Sequence, residues 1–437
     1  MKKTIFTLTL LTTLLFCGCE GTLETKTPPE EPIIRGTGIV DRVFDRQNPA
    51  PLHLAPSQNQ MAYSQMGADF AQKLFGKLCL AAEPGENVCI SPLSLEIALG
   101  MLANGVETSA CTEMLDIIAG RGVTTDSLNV WYFKLRSALE ATNCVRLANA
   151  LWTQVGYPIN PDFIAVNQTY YDAEVGNLDF TKTQQAADSI CQWAYDHTYG
   201  NIRDLNLPIT QQTIAVLANA TWFGANWAYP FEEGATTKET FTLTDGTTQT
   251  VDMMNRTESF MWGGSRAYSL VELPFGVYEK EESGAEWCVD TPYSMLVALP
   301  DSQWSVNDII PLIDWDFAKE RCEVNVHLPK FDFKTTNELK EPMKSLGIEK
   351  VFAPYGALTI GGPDLFIKFI NQDVSVRIDE AGAEMAAVTT IGVEWESFGG
   401  NAIDFNVNRP FVFAVRDNVS HNILFIGKVE NIEETKN

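Results

Sequence analysis

Residues able to carry covalent or acid–base chemistry are few in this chain. The available imidazoles are His53, His197, His327 and His421, and each would need a nucleophile or ligand partner at a set spacing to act as a general base or hold a metal. None lies in a G-x-S-x-G, H-E-x-x-H or Cys/His arrangement, and no G-x-x-x-x-G-K-[ST] or G-x-G-x-x-G cradles a phosphate. The histidines therefore read as surface or internally satisfied groups. Beyond Cys17 and Cys19, seven cysteines remain (Cys79, Cys89, Cys111, Cys144, Cys191, Cys288 and Cys322). They are odd in number, widely spaced and without C-x-x-C, which argues against a zinc site and against a disulfide framework. Most fall in apolar stretches and read as small buried hydrophobes. No catalytic residue, metal or cofactor is expected, and the chain is not read as an enzyme. The segment with an unusual composition is Ala381 to Thr390, where small residues follow Gly382. Taken alone it is a flexible surface loop that avoids helix capping and bulky packing.

The elements that would position such a loop are legible around it. Met66, Phe70, Leu74 and Leu78 recur at four-residue spacing and predict one apolar helical face. A second helix has Ser91 as its side-chain cap, Pro92 in its first turn, Leu95, Ala98, Leu99 and Leu102 as a buried stripe, and Asn104-Gly105 as a left-handed stop. Short runs rich in branched and aromatic residues predict strands at Cys144–Trp152, Ile214–Phe223, Tyr293–Leu299, Cys322–Leu328, Phe411–Val415 and Ile423–Val429, the last two joined around Asp417-Asn418. Helices are expected at Gln184–Tyr199 and Asn337–Leu346. Strands and helices without regular alternation indicate an α+β fold, with residues 60–432 as one domain and 433–437 as a tail.

Charge narrows the partners. With 31 Lys plus Arg against 56 Asp plus Glu, the formal charge is −25, which disfavours nucleic acid and anionic membrane faces. The chain opens with Lys2 and Lys3, an apolar run from Thr4 to Phe16, and Cys17-Gly18-Cys19. Thirteen residues are too few for a bilayer span, which takes about 20 in a helix, so residues 1–18 read as a signal peptide. Gly before Cys resembles a bacterial lipoprotein signal, with cleavage before Cys19 and lipid on its sulfur; a plain secretion signal is the alternative. The expected location is the outer membrane, on its periplasmic or cell-surface face. Residues 19–59, rich in proline and polar residues, suit a flexible tether.

Several blocks over residues 60–432, in order, resemble the serpin family. They are Asn87 to Ser94 through Met101 to Gly105, Ala148 to Trp152, Leu217 to Phe223 through Trp227, Val326 to Phe331, Leu346-Gly347-Ile348, and Arg409-Pro410-Phe411 through Ile426 to Val429. The resemblance implies a single domain with a large central sheet surrounded by helices and an exposed reactive-centre loop. It implies that residues 378–408 hold the hinge and that loop, and that Glu380, Gly382, Ala383, Glu384, Met385, Ala386, Ala387, Val388 and Thr389 form the hinge. Small side chains fit this role, because alternate residues must enter the sheet and face the core. Met385 departs from the family's small residues at one such position. The family's polar shutter under the sheet corresponds to Ser91, Ser94 and Asn219, with Gln372 where a histidine is usual. Trp227 matches the aromatic at the breach where the loop enters.

Counting from Gly382 with the family's spacing places the reactive bond at Glu396-Ser397. A register slip within 393–398 would present Val393, Trp395 or Phe398 instead. The function implied is suicide inhibition of a serine protease, with cysteine proteases as a second class: loop cleavage, covalent acyl-enzyme trapping and loop insertion. A non-inhibitory binding or chaperone-like serpin is the alternative reading. Expected partners are the target protease and the membrane through Cys19, with a monomeric chain, no nucleic acid and, lacking a basic patch, no glycosaminoglycan. Between Arg377 and Arg409 there is no Lys or Arg, while Asp379, Glu380, Glu384, Glu394, Glu396 and Asp404 are acidic, so the bait itself should be acidic. Tyr278 to Thr291 is read as an acidic solvated loop outside the family pattern.

Overall fold

The computed structural model describes residues 8–18, 50–202, 205, 207–276, 278–280, 286–288, 291–317, 319–353, 357–361, 365–382 and 402–432. Helices are α1 (Gln58–Ala81), α2 (Pro92–Ala103), α3 (Thr108–Ile118), α4 (Thr125–Ala141), α5 (Pro161–Tyr171), α6 (Thr183–His197), α7 (Val306–Ile309) and α8 (Lys340–Ser345). Strands are β1 (Leu8–Gly18), β2 (Val88–Ile90), β3 (Val145–Gln154), β4 (Glu174–Leu178), β5 (Thr213–Phe223), β6 (Thr237–Thr242), β7 (Thr248–Gly264), β8 (Tyr268–Phe275), β9 (Tyr278–Lys280), β10 (Glu286–Cys288), β11 (Tyr293–Pro300), β12 (Glu320–Pro329), β13 (Phe331–Glu338), β14 (Leu365–Ile378), β15 (Ile403–Asn406), β16 (Phe411–Asp417) and β17 (Ile423–Val429).

The central sheet runs β13-β14-β1-β5-β3-β4, and a nine-stranded sheet runs β15-β12-β7-β8-β11-β16-β17-β2 with β6 paired to β7. The α+β architecture is thus the one expected, with one addition. Leu8–Gly18, read as part of a signal peptide, forms a strand in the middle of the central sheet, antiparallel to both β14 and β5.

Burial on both faces explains why β5 reads as an almost continuous apolar run. Ala215, Leu217 and Phe223 join the main core, while Val216, Ala218 and Ala220 pack in a second cluster with Ile190 and Trp193 of α6. Helix α2 contacts β5, β1 and β17, and all twelve of its residues are buried rather than a single stripe. That includes Glu96, whose carboxyl lies against Gly67.

Several local readings are corrected. A capping box between Ser57 and Gln60 starts α1 at Gln58, so helix begins inside the span read as tether. Ser91 occupies the N-cap position of α2 without a side-chain cap bond. Asn104 is right-handed, with φ −75°, and Gly105 is kept small for a different reason: a Cβ there would lie 2.2 Å from Ile360 Cγ2 and 2.6 Å from Phe163 Cε2. The segment Asn337–Leu346 is divided, since Asn337 and Glu338 end β13 and only Lys340–Ser345 is helical. The stretch 378–408 contains β15, paired in parallel with β12. Within Tyr278–Thr291, β9 and β10 pair as a short hairpin rather than leaving a plain loop. Cys79, Cys89 and Cys144 are buried thiols, with burial raising Cys79 to about 12; Cys111, Cys191 and Cys322 are only half-buried.

Candidate functional site: a hinge and an interstrand slot

Strand β14 ends at Ile378 and the chain turns through Asp379 to Gly382. The Gly382 amide donates to Asp379 O (3.2 Å), and the Ala381 amide donates to Asp379 Oδ1 (3.1 Å). Gly382 has φ +83°, and a Cβ there would stand 2.5 Å from Trp227 N and 2.8 Å from Ala225 O. Both the left-handed backbone and the close approach require glycine.

The turn is fastened to the segment after β5. Trp227 N donates to Ala381 O (3.2 Å), Phe231 N to Glu380 O (2.9 Å), and Trp227 Nε1 to Asp379 O (2.9 Å). Trp227 is buried and stacked on Phe275 at 4.4 Å, so its indole N–H has a fixed direction.

Glu380 is latched by side chains as well. Its Oε2 meets Lys330 Nζ at 2.8 Å, and its Oε1 accepts from Thr236 Oγ1 at 2.8 Å. Burial pushes the Glu380 carboxyl up, but these donors outweigh it and hold it below the ordinary value. Asp379 shows the opposite balance. Burial dominates over the Ala381 amide and Arg377, raising its pKa to about 6. Asp379 and Glu380 are only 5% and 8% exposed, so two of the six acids assigned to the bait are part of the latch instead. Asp404 is on β15, 3.4 Å from His327 Nε2.

Beneath the sheet, Ser94 Oγ donates to Asn219 Oδ1, which also accepts from Thr221 Oγ1 at 3.1 Å. Asn219 Nδ2 donates to Asn149 Oδ1 at 2.5 Å, and Asn149 Nδ2 to Tyr171 O at 2.8 Å. On the β14 side, Gln372 grips the Ser91 backbone twice. Ser91 N donates to its Oε1 and its Nε2 donates to Ser91 O, both at 3.0 Å. A carboxamide, with an acceptor oxygen and a donor nitrogen, matches the N–H and C=O of one residue in this two-point manner. Between the two groups runs β1, whose Thr12 is in register with Asn219 on one side and Gln372 on the other.

The predicted residues Ser91, Ser94, Asn219, Gln372, Trp227, Glu380 and Gly382 thus lie along one slot between β5 and β14. Ala383, Glu384, Met385, Ala386, Ala387, Val388, Thr389, Glu396, Ser397 and Cys19 lie outside the described residues. Lys330, Thr236 and Asn149 complete the site without a role assigned from the sequence, and Asp379, read as a bait acid, joins them.

His197, His327 and His421 are placed in structural contacts. The His197 ring nitrogens face Trp193 O (2.7 Å) and Glu174 Oε1 (2.8 Å), and His421 Nδ1 faces Asp316 Oδ1 (2.7 Å). Among the described residues no group of three or more His, Cys, Asp or Glu side chains could hold a metal.

The model of the Serpin (serine protease inhibitor) family matches residues 65–432. This chain belongs to the serpin family. Among relatives, the serpin is 30% identical over 384 residues to leukocyte elastase inhibitor of Sus scrofa, covering 83% of this chain and 97% of that protein. It is 28% identical over 375 residues to a serpin-like protein of Methanosarcina mazei, covering 79% and 81%. Among solved structures, native tengpin, a thermophilic serpin, superimposes with a TM-score of 0.74 at 24% identity, covering 89% of this serpin and 98% of that chain. Most members of the family are protease inhibitors.

Proposed function

We propose that this serpin inhibits a serine protease as a suicide substrate. The observation that carries the reading is the pairing of hinge and slot. A chain that entered the sheet after the four-residue turn Asp379–Gly382 would run antiparallel to β14, and the sheet accommodates a strand of that direction between β14 and β5, since β1 occupies this place.

The protease serine would attack the carbonyl of Glu396, release the amine of Ser397 and remain as an acyl-enzyme. Insertion of the loop from Ala383 onward then carries the attached protease along the sheet before water can complete hydrolysis. The serpin supplies a strand and a change of packing rather than acid–base chemistry. Its partner is the protease, and a lipid on the sulfur of Cys19, the first residue after leader cleavage, would anchor it to the outer membrane.

Nicking the loop in the chain starting at residue 20 tests insertion. A rise in melting midpoint by more than about 10 °C is expected, because a new central strand adds pairing on both sides. No rise favours the non-inhibitory binding or chaperone-like reading.

A further inference from the structure

We infer that residues 8–18, while still attached, act as an intramolecular plug that occupies the slot needed by the reactive loop, so that removal of the leader licenses inhibition. This rests on the insertion reading above and adds its regulation. Strand β1 pairs with β14 from Thr9↔Ser375 to Gly18↔Leu365 and with β5 from Leu8↔Phe223 to Cys17↔Thr213. Both neighbouring edges are therefore used, and only one strand fits between them.

Register shows why this leader and the loop compete. If the chain folds back at the turn Asp379–Gly382, Ala383 comes opposite Ile378 and each further residue moves one position down β14. Ala387 then meets Val374 and Thr389 meets Gln372. In β1 the partner of Val374 is Leu10 and the partner of Gln372 is Thr12. Leader and loop thus claim the same positions along β14, including the one opposite Gln372, which like Asn219 is 0% exposed. The leader segment has no charged residue, whereas the loop must bring in Glu384. An uncharged, mostly apolar strand is the better occupant of a place between two largely buried strands.

The consequence is order: a precursor that folds before processing is locked, and cleavage between Gly18 and Cys19 cuts the plug from the chain.

The test uses the full chain with its leader, and the same chain carrying Thr12→Pro or Leu14→Asp. Proline removes a ladder donor in a central strand, and Asp would bury a charge there. Neither changes a residue of the serpin domain. Two readouts are taken: native hydrogen exchange of amides 213–223 and 365–375, and the melting midpoint before and after loop nicking.

The expected result is protected amides and little gain on nicking in the unaltered chain. Both variants should show exchange at least about tenfold faster at those amides, as expected for sheet edges left unpaired, and a gain on nicking. Equal exchange and an equal gain in all three chains would overturn the plug while leaving insertion intact. Protection lost in the variants with no gain on nicking in any chain would support occupancy of the slot and overturn the inhibitory reading instead.

Discussion

Glu96→Gln offers a worked test of the core beneath the slot. Glu96 sits on α2, a helix buried on every side, and the hydroxyl of Tyr132 is 3.5 Å from its Oε2. Burial, eased only slightly by that contact, raises its pKa from 4.5 to about 8. The folded state therefore holds a proton that the unfolded chain releases above pH 4.5. A raised carboxyl pKa gives full stability below the unfolded value, and stability is lost as pH rises towards the folded one. At pH 7 the loss is about 3.4 kcal/mol, from 2.5 units at about 1.36 kcal/mol each, and it levels at about 5 kcal/mol above pH 8. Glutamine has nearly the same shape and no such titration. Denaturant unfolding of both proteins from pH 4 to pH 9 should show curves that nearly coincide at pH 4 and separate by about 3 kcal/mol in favour of the variant at pH 7. A difference independent of pH would refute the claim that a neutral carboxyl is buried at this position.

Other outcomes follow from the hinge. Asp379→Asn keeps an acceptor for the Ala381 amide but cannot ionise; with the folded value near 6 against 3.8, the variant should gain about 3 kcal/mol above pH 6 and nothing below pH 3.8, read by unfolding at both ends of that window. Gly382→Ala forces a side chain into the left-handed region against Trp227 N and should destabilise by at least about 2 kcal/mol, seen as a lowered melting midpoint. Ala383→Arg should convert inhibitor to substrate, because its charge would have to enter the sheet; an inhibitory stoichiometry equal to that of the unaltered chain would contradict insertion.

Much of the architecture was readable because its signals are local. The strand Ile423–Val429 was placed at its observed ends, and β5 and β11 within a residue, since branched and aromatic runs bounded by turn residues mark themselves. What escaped depended on distant partners. Gly105 looked like a helix stop, yet its smallness answers to Phe163 and Ile360, which approach only in the folded chain. Glu380 looked like a bait acid, but Thr236, 144 residues away, and Lys330 make it a latch. Gln372 is expected to donate and accept, and it does both to the backbone of one residue, Ser91, whose N–H and C=O lie in successive peptide groups. The strand role of Leu8–Gly18 escaped for another reason: an uncharged apolar run serves equally as a signal peptide core or as a central strand, and periodicity does not separate them.

The central claim is that cleavage of the loop traps the protease. The most direct measurement incubates the chain starting at residue 20 with a Glu-specific serine protease and reads the products by detergent gel and mass spectrometry. The account predicts a complex that survives detergent and a released fragment beginning at Ser397. Complete cleavage of the loop by every protease in a serine protease panel, with no complex at any time, would contradict it.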